Sequence, residues 1–263
     1  MTRQTFLITG ASDGIGAIYA DRLARREHDL ILVARRADRL IELARRLEAE
    51  TGVRVEPLAA DLADPADLLR IEQRLRDDAA ITGLVNNAGI ANEGTIVGAK
   101  ADYLSTMIDL NVRAVTRLSA AIAPRLVAAG MGTIINMTSV TALMPEAFTS
   151  VYPATKAFVL TFTEALRAEL GPQGVRVQAV LPGITRTQIW SEEAMAGLPA
   201  SMVMEADDMV DAALAGLDMD EGVTIPSLPD SAAYRAYITA RDALHPELSL
   251  STPAARYGVP ARA

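Results

Sequence analysis

Short apolar runs alternate with longer amphipathic stretches along most of this chain. The runs with a strand-like pattern cover residues 5–9, 29–34, 53–60, 83–86, 133–138, 175–181 and 223–225. Such alternation is typical of βαβ units, whose right-handed crossovers place helices on both faces of a parallel sheet. The pattern therefore predicts an α/β fold, with a doubly wound and mostly parallel seven-stranded sheet that binds ligands outside the carboxyl ends of its strands.

Two helix boundaries can be located from local signals. Leu40, Ala44 and Leu47 repeat at helical spacing, and Gly52 follows where a left-handed C-terminal cap belongs. Asp64, which is followed by proline, predicts the N-cap and first turn of the next helix. We interpret both apolar stripes as packing surfaces and not as functional sites.

The strand pattern is lost over residues 182–208, where the chain is rich in Met and small residues. We expect a helix over 207–217 and no linker or repeat. The prediction is therefore a single Rossmann-type domain over 1–263, in which about 188–220 form a substrate-binding flap and helix and 229–263 form a C-terminal tail.

Composition excludes several classes of function. The chain has no cysteine and two histidines, His28 and His245, so we expect no metal site and no zinc-dependent dehydrogenase. The net charge of −8 argues against a nucleic-acid or anionic-membrane surface. The first residues lack the apolar length of a signal peptide or a membrane span. We expect a cytoplasmic protein with neither nucleic-acid nor membrane partners.

A glycine-rich turn, TGASDGIG at residues 9–16, joins the first strand to the first helix. A pyrophosphate is bound well at such a helix N-terminus, and Gly10, Gly14 and Gly16 permit its close approach. The spacing G-x-x-x-G-x-G differs from the G-x-G-x-x-G dinucleotide fingerprint. The same letters contain G-x-S-x-G, so a hydrolase with Ser12 as nucleophile is an alternative, although no suitably placed histidine supports it.

The end of the second strand indicates which nicotinamide nucleotide is bound. NAD-specific proteins of this architecture place an acid there for the ribose 2′-hydroxyl. This chain has Ala34 followed by Arg35 and Arg36, and a guanidinium binds a phosphate through paired hydrogen bonds. These residues favour NADP(H).

YPATK at residues 152–156 places Tyr152 and Lys156 on one face of a long predicted helix. A phenol has an ordinary pKa of about 10, and a nearby ammonium lowers that pKa because it stabilises the phenolate. The pair is therefore a candidate for proton transfer, although Y-x-x-x-K alone is a weak motif.

Together these motifs resemble the short-chain dehydrogenase/reductase family. TGASDGIG, NNAG at 86–89, Asn111, Ser139 and YPATK occur in that family's order, and the interval from Ser139 to Tyr152 also matches. The resemblance covers about residues 3–190, including PGITRT at 182–187. It implies that Tyr152 is the general acid/base, that Ser139 binds the substrate oxygen, that Lys156 binds the ribose and favours the phenolate, and that Asn111 holds a proton-relay water.

The resemblance also implies the contacts of the cofactor, NADP(H). Asp61 and Leu62 would meet adenine, Asn87 to Gly89 would line the ribose, and Ile184 and Thr187 would anchor the carboxamide. The predicted cofactor-binding residues are Gly10, Ser12, Asp13, Gly14, Ile15, Gly16, Arg35, Arg36, Asp61, Leu62, Asn87, Ala88, Gly89, Tyr152, Lys156, Pro182, Gly183, Ile184 and Thr187. Simpler roles exist for some of them, since Asp61 could cap a turn and Asn111 could be a polar residue inside a helix.

The predicted function is that of an NADP(H)-dependent oxidoreductase that interconverts a ketone or aldehyde and an alcohol. Two further hypotheses are an epimerase or dehydratase of the wider superfamily and a non-catalytic NADP-binding regulator. The substrate is expected to be a small-to-medium, largely apolar carbonyl compound. Candidate pocket residues are Leu143, Met144, Trp190, Met195, Leu198 and Met202. The resemblance also implies a homodimer or homotetramer that packs the long helices around Asn111 and Tyr152, where this sequence carries apolar residues.

Overall fold

The computed structural model describes residues 3–91, 95–147, 150–187 and 197–259. The chain divides into two compact units, Met1–Ser227 and Leu228–Ala263. Within the described ranges the strands of the first unit are β1 (Thr5–Thr9), β2 (Asp29–Ala34), β3 (Val55–Ala59), β4 (Ile81–Asn86), β5 (Gly132–Met137), β6 (Val175–Val180), β7 (Thr185–Arg186), β8 (Met204–Glu205) and β9 (Val223–Thr224).

The α-helices in the described part of the first unit lie between successive strands of the main sheet. They are α1 (Gly14–Arg25), α2 (Ala37–Thr51), α3 (Pro65–Asp77), α4 (Ala101–Ile108), α5 (Val115–Ala129), α6 (Val151–Leu170) and α7 (Ala206–Asp218). A π-helical turn, Asp109–Ala114, joins α4 to α5. The predicted βαβ alternation is confirmed.

Seven of the described strands form one sheet in the order β3-β2-β1-β4-β5-β6-β9, and all their pairings are parallel. The order reverses between β1 and β4, so that the chain runs outward from this point in both directions. The carboxyl ends of β1 and β4 therefore meet at the topological switch point, where doubly wound sheets bind their ligands.

Two hydrophobic clusters cover the two faces of the sheet. Phe6 and Ile8 of β1 belong to the cluster that includes α1, α2 and α7, whereas Leu7 between them belongs to the cluster that includes α3 and α5. All three side chains are at most 1% exposed. Successive side chains of a strand point to opposite faces, so a central strand buried on both faces is apolar throughout.

The local helix signals agree with the structure. Gly52 adopts the left-handed conformation after α2, with φ of 72°. The carboxylate of Asp64 accepts hydrogen bonds from the backbone N–H groups of Ala66 and Asp67 at the start of α3. Helix α7 extends one residue beyond each end of the predicted 207–217. These boundaries are set by side chain to backbone contacts within one turn, which is why the sequence predicts them well.

Strand boundaries differ more from the predictions. Strand β4 begins at Ile81 and not at residue 83, because Ile81 is fully buried and pairs with Thr5 of β1. Strand β3 is shorter than the predicted 53–60. Residues 182–208 were expected to lack strands, yet Thr185–Arg186 and Met204–Glu205 form a short parallel ladder. The N–H of Met204 donates to the carbonyl of Ile184.

The second unit contains helix α8, Ala232–Asp242, which the sequence analysis did not predict. No residue of α8 is buried. Tyr234, Tyr237 and Ile238 repeat at helical spacing, a signal that the sequence analysis did not use. The predicted boundary of the tail, residue 229, lies next to the boundary between the units. The single-domain assignment and the flap function of 188–220 stay predictions, and residues 188–196 lie outside the described ranges.

Across residues 3–91, 95–147, 150–187 and 197–259, no helix has both the length and the apolar character of a membrane span. The same ranges contain no group of three or more acidic or histidine side chains placed to hold a metal ion.

Candidate active site

The glycine-rich turn is built at the switch point, between β1 and α1. Asp13 is the N-cap of α1, and its carboxylate accepts a hydrogen bond of 2.6 Å from the N–H of Gly14. Gly10 and Gly14 have φ of 67° and 50°, a region that disfavours other residues. A Cβ at Gly14 would lie 3.3 Å from the side chain of Thr187. The turn and the segment after β6 therefore approach each other closely.

Gly10 and Gly16 also allow close packing within the protein itself. A Cβ at Gly10 would lie 2.8 Å from the Nδ2 atom of Asn87, and one at Gly16 would overlap the carbonyl oxygen of Gly10. Their small size allows the turn to pack on itself and on the segment after β4. These two glycines shape the protein backbone before any ligand is considered.

Thr9 joins the glycine-rich turn to the NNAG segment, and the sequence analysis did not select it. Its hydroxyl accepts hydrogen bonds of 3.0 Å from the N–H groups of Asn87 and Ala88 and donates one to the carbonyl of Val85. The side chain of Asn87 in turn donates to the carbonyls of Thr9 and Gly10. The structure thus brings the predicted residues Gly10, Asn87 and Ala88 together.

The arginines after β2 lie beside the turn. Arg36 donates to the hydroxyl of Ser12 at 3.2 Å and to the carboxylate of Asp13 at 3.1 Å. Arg39, which the sequence analysis missed, also contacts Asp13, at 3.2 Å. Arg35 is exposed at the end of β2. Two guanidinium groups therefore converge on Asp13, and one of them also contacts Ser12. The spacing of three residues between Arg36 and Arg39 could have indicated the second one.

Asp61 forms a local turn after β3. Its carboxylate accepts a hydrogen bond from the N–H of Ala63, and its own N–H donates to the carboxylate of Asp67. The next residue, Leu62, is 4% exposed and packs in the α3 and α5 cluster. The capping role considered for Asp61 is thus present, and a contact of either residue with adenine stays a prediction.

Ser139, Tyr152 and Lys156 come together at the carboxyl end of β5. Ser139 is hydrogen-bonded to the phenol of Tyr152. The Nζ atom of Lys156 lies 5.6 Å from the centre of the Tyr152 ring and donates to the carbonyl of Met137 at 3.1 Å. Thr138, which the sequence analysis passed over, donates 2.6 Å to the carbonyl of Lys156 and so ties α6 to β5.

Burial shifts the pKa values of this pair in opposite directions. It raises the pKa of Tyr152 to about 12, against the effect of the hydrogen bond with Ser139. It lowers the pKa of Lys156 to about 8, since the amine is buried among protein atoms. The lowered phenol pKa expected from the motif is therefore not present in the protein alone, where Tyr152 is a neutral proton donor at physiological pH.

Asn111 lies in the π-helical turn and is 1% exposed. Its Nδ2 donates to the carbonyl of Ile90 at 2.9 Å and to the hydroxyl of Thr155 at 3.1 Å, while its Oδ1 accepts from the N–H of Ile90. Both amide hydrogens are thus engaged by protein groups. A Cβ at Gly89 would lie 3.1 Å from Oδ1 of Asn111 and 3.5 Å from Nζ of Lys156.

The segment after β6 closes the other side of the site. Pro182 accepts through its carbonyl from the N–H of Val140, next to Ser139. Gly183 accepts from the hydroxyl of Thr185, and the carbonyl of Ile184 accepts from Met204. The predicted residues of this segment therefore lie between the site of Ser139 and the turn at Gly14.

The candidate pocket residues are only partly described. Trp190 and Met195 lie outside the described residues. Met144 and Met202 are 43% and 58% exposed, whereas Leu143 packs against the cluster of Leu160 and Leu181. The described geometry gives no support to a Ser12 hydrolase, because His28 is 3% exposed and its Nδ1 accepts from the N–H of Gln4.

Several known dehydrogenases and reductases are similar to this chain. A profile of the short chain dehydrogenase family matches residues 4–196. Very-long-chain 3-oxoacyl-CoA reductase-A of Danio rerio is 32% identical over 187 residues, which are 70% of this chain and 58% of that protein. The match thus spans less than two thirds of that relative. A probable NADP-dependent dehydrogenase of Haemophilus influenzae is 36% identical, over 70% of this chain and 72% of its own length.

Two solved structures are similar over nearly the whole chain. A short-chain dehydrogenase from Sphingobium yanoikuyae in complex with NADPH is 52% identical, with a TM-score of 0.91 over 97% of this chain and 100% of that chain. The bulky-bulky ketone specific alcohol dehydrogenase from Comamonas testosteroni is 44% identical, with a TM-score of 0.91 over 98% of this chain and 99% of that chain.

Proposed function

Because the chain belongs to the short-chain dehydrogenase family, we propose that it is an NADP(H)-dependent oxidoreductase that interconverts a ketone or aldehyde and the corresponding alcohol. The observation that carries the proposal is the contact of Ser139 with the Tyr152 phenol, with the buried amine of Lys156 5.6 Å from the Tyr152 ring. This arrangement provides a proton donor and a second hydroxyl for one carbonyl oxygen.

The described residues fit NADP(H). The N-terminus of α1 begins at Gly14 in the glycine-rich turn, and we propose that the pyrophosphate binds there, with Thr187 beside it. Arg35 and Arg36 are proposed to bind the 2′-phosphate. The Lys156 amine donates one hydrogen bond to the carbonyl of Met137, and its other N–H groups are proposed to bind the nicotinamide ribose. The remaining predicted contacts are proposed to be Gly10, Ser12, Asp13, Ile15, Gly16, Asp61, Leu62, Asn87, Ala88, Gly89, Tyr152, Pro182, Gly183 and Ile184. When bound, the cofactor supplies or accepts the hydride.

During reduction, Ser139 holds the carbonyl oxygen of the substrate and Tyr152 donates its phenolic proton to that oxygen. The raised pKa of Tyr152 keeps the proton in place until the oxygen develops negative charge. During oxidation, Tyr152 takes the alcohol proton as a phenolate, which the ammonium of Lys156 stabilises. Both amide hydrogens of Asn111 donate to protein groups, Ile90 and Thr155. The proton-relay water proposed for Asn111 would therefore bind another polar group of this residue.

The substrate class is proposed from the relatives. The similar dehydrogenase from Comamonas testosteroni is described as specific for bulky-bulky ketones. We infer that this chain also accepts ketones with two large, largely apolar substituents. A small-molecule substrate and a cytoplasmic location are part of this proposal, as is a homodimer or homotetramer.

The proposal is tested by NADPH absorbance with a panel of ketones that increase in size on both sides of the carbonyl. Tyr152→Phe should still bind NADPH, as measured by fluorescence titration, but should not turn over the ketone. Tyr237→Phe is the matched control, because Tyr237 is 51% exposed and lies on α8 of the second unit. A protein that binds neither nicotinamide nucleotide, or a Tyr152→Phe variant with full turnover, would contradict the proposal.

A further inference from the structure

Thr155, the fourth residue of YPATK, lies between two residues of the active site. It is 3% exposed, and its hydroxyl accepts a hydrogen bond of 3.1 Å from Nδ2 of Asn111. The same hydroxyl donates 2.7 Å to the backbone carbonyl of Tyr152. One side chain therefore connects the π-helical turn to the first turn of α6.

The direction of these hydrogen bonds is fixed by chemistry. Oδ1 of Asn111 accepts from the N–H of Ile90, so its amide orientation is set and Nδ2 must face Thr155. An amide nitrogen can only donate, and therefore the proton of the Thr155 hydroxyl must go to the carbonyl of Tyr152. The chain of bonds runs without ambiguity from Ile90, which follows NNAG, to the backbone of the catalytic tyrosine.

We propose that Thr155 is a positioning residue for the reaction: it transmits the position of Asn111 to the backbone of Tyr152 and so fixes the phenol relative to Ser139 and Lys156. Thr155 itself does not touch the reacting atoms. Its loss would leave Nδ2 of Asn111 buried with one partner fewer, and the first turn of α6 would shift to satisfy it. This role depends on the proposed function of Tyr152.

Helix α6 contains a second threonine, outside the site, whose hydroxyl makes the same two kinds of hydrogen bond as that of Thr155. Thr163 is fully buried, accepts 2.9 Å from Nδ2 of Asn136 and donates 2.6 Å to the carbonyl of Val159. It lies eleven residues beyond Tyr152, about 16 Å along the helix axis at the usual rise per residue. A valine at either position removes the same two hydrogen bonds, but only one of the changes is next to Tyr152.

The experiment compares Thr155→Val, Thr155→Ser and Thr163→Val in the full chain, with kinetics of ketone reduction, NADPH binding and thermal unfolding. Thr155→Val should lower kcat by about 10- to 100-fold, because small displacements of a catalytic group have effects of this order. Its NADPH affinity should change little. Thr155→Ser should restore kcat, and Thr163→Val should lose a similar amount of thermal stability with kcat unchanged.

A second readout separates positioning from stability. In alcohol oxidation, the apparent pKa seen in the pH profile of kcat should rise in Thr155→Val, because the phenol moves away from the ammonium of Lys156. It should not rise in Thr163→Val. If Thr155→Val keeps its kcat and pH profile, or if Thr163→Val changes them equally, the proposal is wrong. Thr155→Ala takes the place of Thr155→Val if the latter does not fold.

Failure of the proposed function gives a different result from failure of this inference. A wild-type protein that reduces no ketone would overturn the function, whatever Thr155 does. The position of the Tyr152 ring can then be followed by NMR of the protein with labelled tyrosine, with Tyr152→Phe to assign the signal. The inference still requires that this signal shift in Thr155→Val and not in Thr163→Val.

Discussion

At the scale of a single residue, Arg36 lies beside an acid of the glycine-rich turn, near the proposed position of the 2′-phosphate. Asp13 is required as the N-cap of α1, yet its carboxylate would repel a 2′-phosphate. Arg36 and Arg39 both contact the Asp13 carboxylate and so offset its charge. The two arginines thus neutralise Asp13, and we propose that Arg36 also provides donors for the 2′-phosphate.

Arg36→Ala should weaken NADPH binding by about 1.5–3 kcal/mol, the size of a hydrogen bond to a charged group, while NADH binding changes little. Fluorescence titration with both nucleotides measures this difference. Arg45→Ala, on the exposed surface of α2, is the control for the change in net charge. An equal loss for NADPH and NADH would show that Arg36 does not read the 2′-phosphate.

His28 gives the fold a pH dependence of its own. It is 3% exposed, its Nδ1 accepts from the N–H of Gln4, and burial together with nearby arginines lowers its pKa from 6.5. The unfolded chain therefore takes up a proton at pH values where the folded protein does not. The contribution of His28 to stability is complete above about pH 6.5 and is lost as the pH falls below it.

The free energy of unfolding should therefore fall below pH 6.5, by at most about 1.4 kcal/mol per pH unit for a single proton. Urea unfolding of the wild type and of His28→Gln between pH 7.5 and 5 measures the slope, which should be smaller in the variant. Carboxylates with lowered pKa values, such as Asp29 at about 2, act only at lower pH. Equal slopes would remove His28 as the cause.

At the scale of elements, the site depends on how closely three segments approach one another. The segment after β4 carries Gly89, the π-helical turn carries Asn111, and the start of α6 carries Lys156. A Cβ at Gly89 would lie 3.1 Å from Oδ1 of Asn111, tighter than ordinary packing allows. The π-helical turn supplies the extra residue that brings Asn111 inward, as such turns often do at functional sites.

Gly89→Ala should lower kcat by about tenfold or more, because it displaces Asn111 or the amine of Lys156 by a few tenths of an ångström. The backbone of Gly89 does not have positive φ, so the folded state should be retained. Gly171→Ala, where a Cβ meets nothing within 4 Å, is the control. Thermal unfolding and kinetics of both variants separate the effects, and an unchanged kcat in Gly89→Ala would contradict this account of the packing.

At the scale of the whole molecule, an apolar groove of about 400 Å³ runs between α5 and α6. Its lining residues are Thr116, Ala120, Ala123, Pro124, Val127, Phe162, Leu166, Glu169 and Leu170. Phe158 on the same helix is 39% exposed and stacks on Phe162. Apolar helix faces of this kind are typical of subunit interfaces, and we propose that a second copy of the chain packs here.

Light scattering should find a dimer or tetramer for the wild type and a lower mass for Ala120→Arg, because a buried guanidinium without a partner opposes association. Ala49→Arg, on the exposed face of α2, adds the same charge and should keep the wild-type mass. A monomeric wild type would end this proposal.

The sequence by itself determined the alternation of the main strands and helices and the doubly wound fold, and it predicted the three side chains that the structure brings together, Ser139, Tyr152 and Lys156. Strand and helix signals repeat within a few residues, and the YPATK spacing follows from one helical turn. These features depend on residues that are close in the chain, so they can be recognised from the sequence. The family resemblance rests on the same kind of short motif.

Only the tertiary structure decided which polar groups meet. Thr9 and Asn87 are 78 residues apart, and Asn111 and Thr155 are 44 apart. A hydrogen bond depends on positions within a few tenths of an ångström, which are set by the packing of several elements together. For the same reason the sequence could not show that burial raises the pKa of Tyr152, because desolvation is a property of everything packed around the phenol.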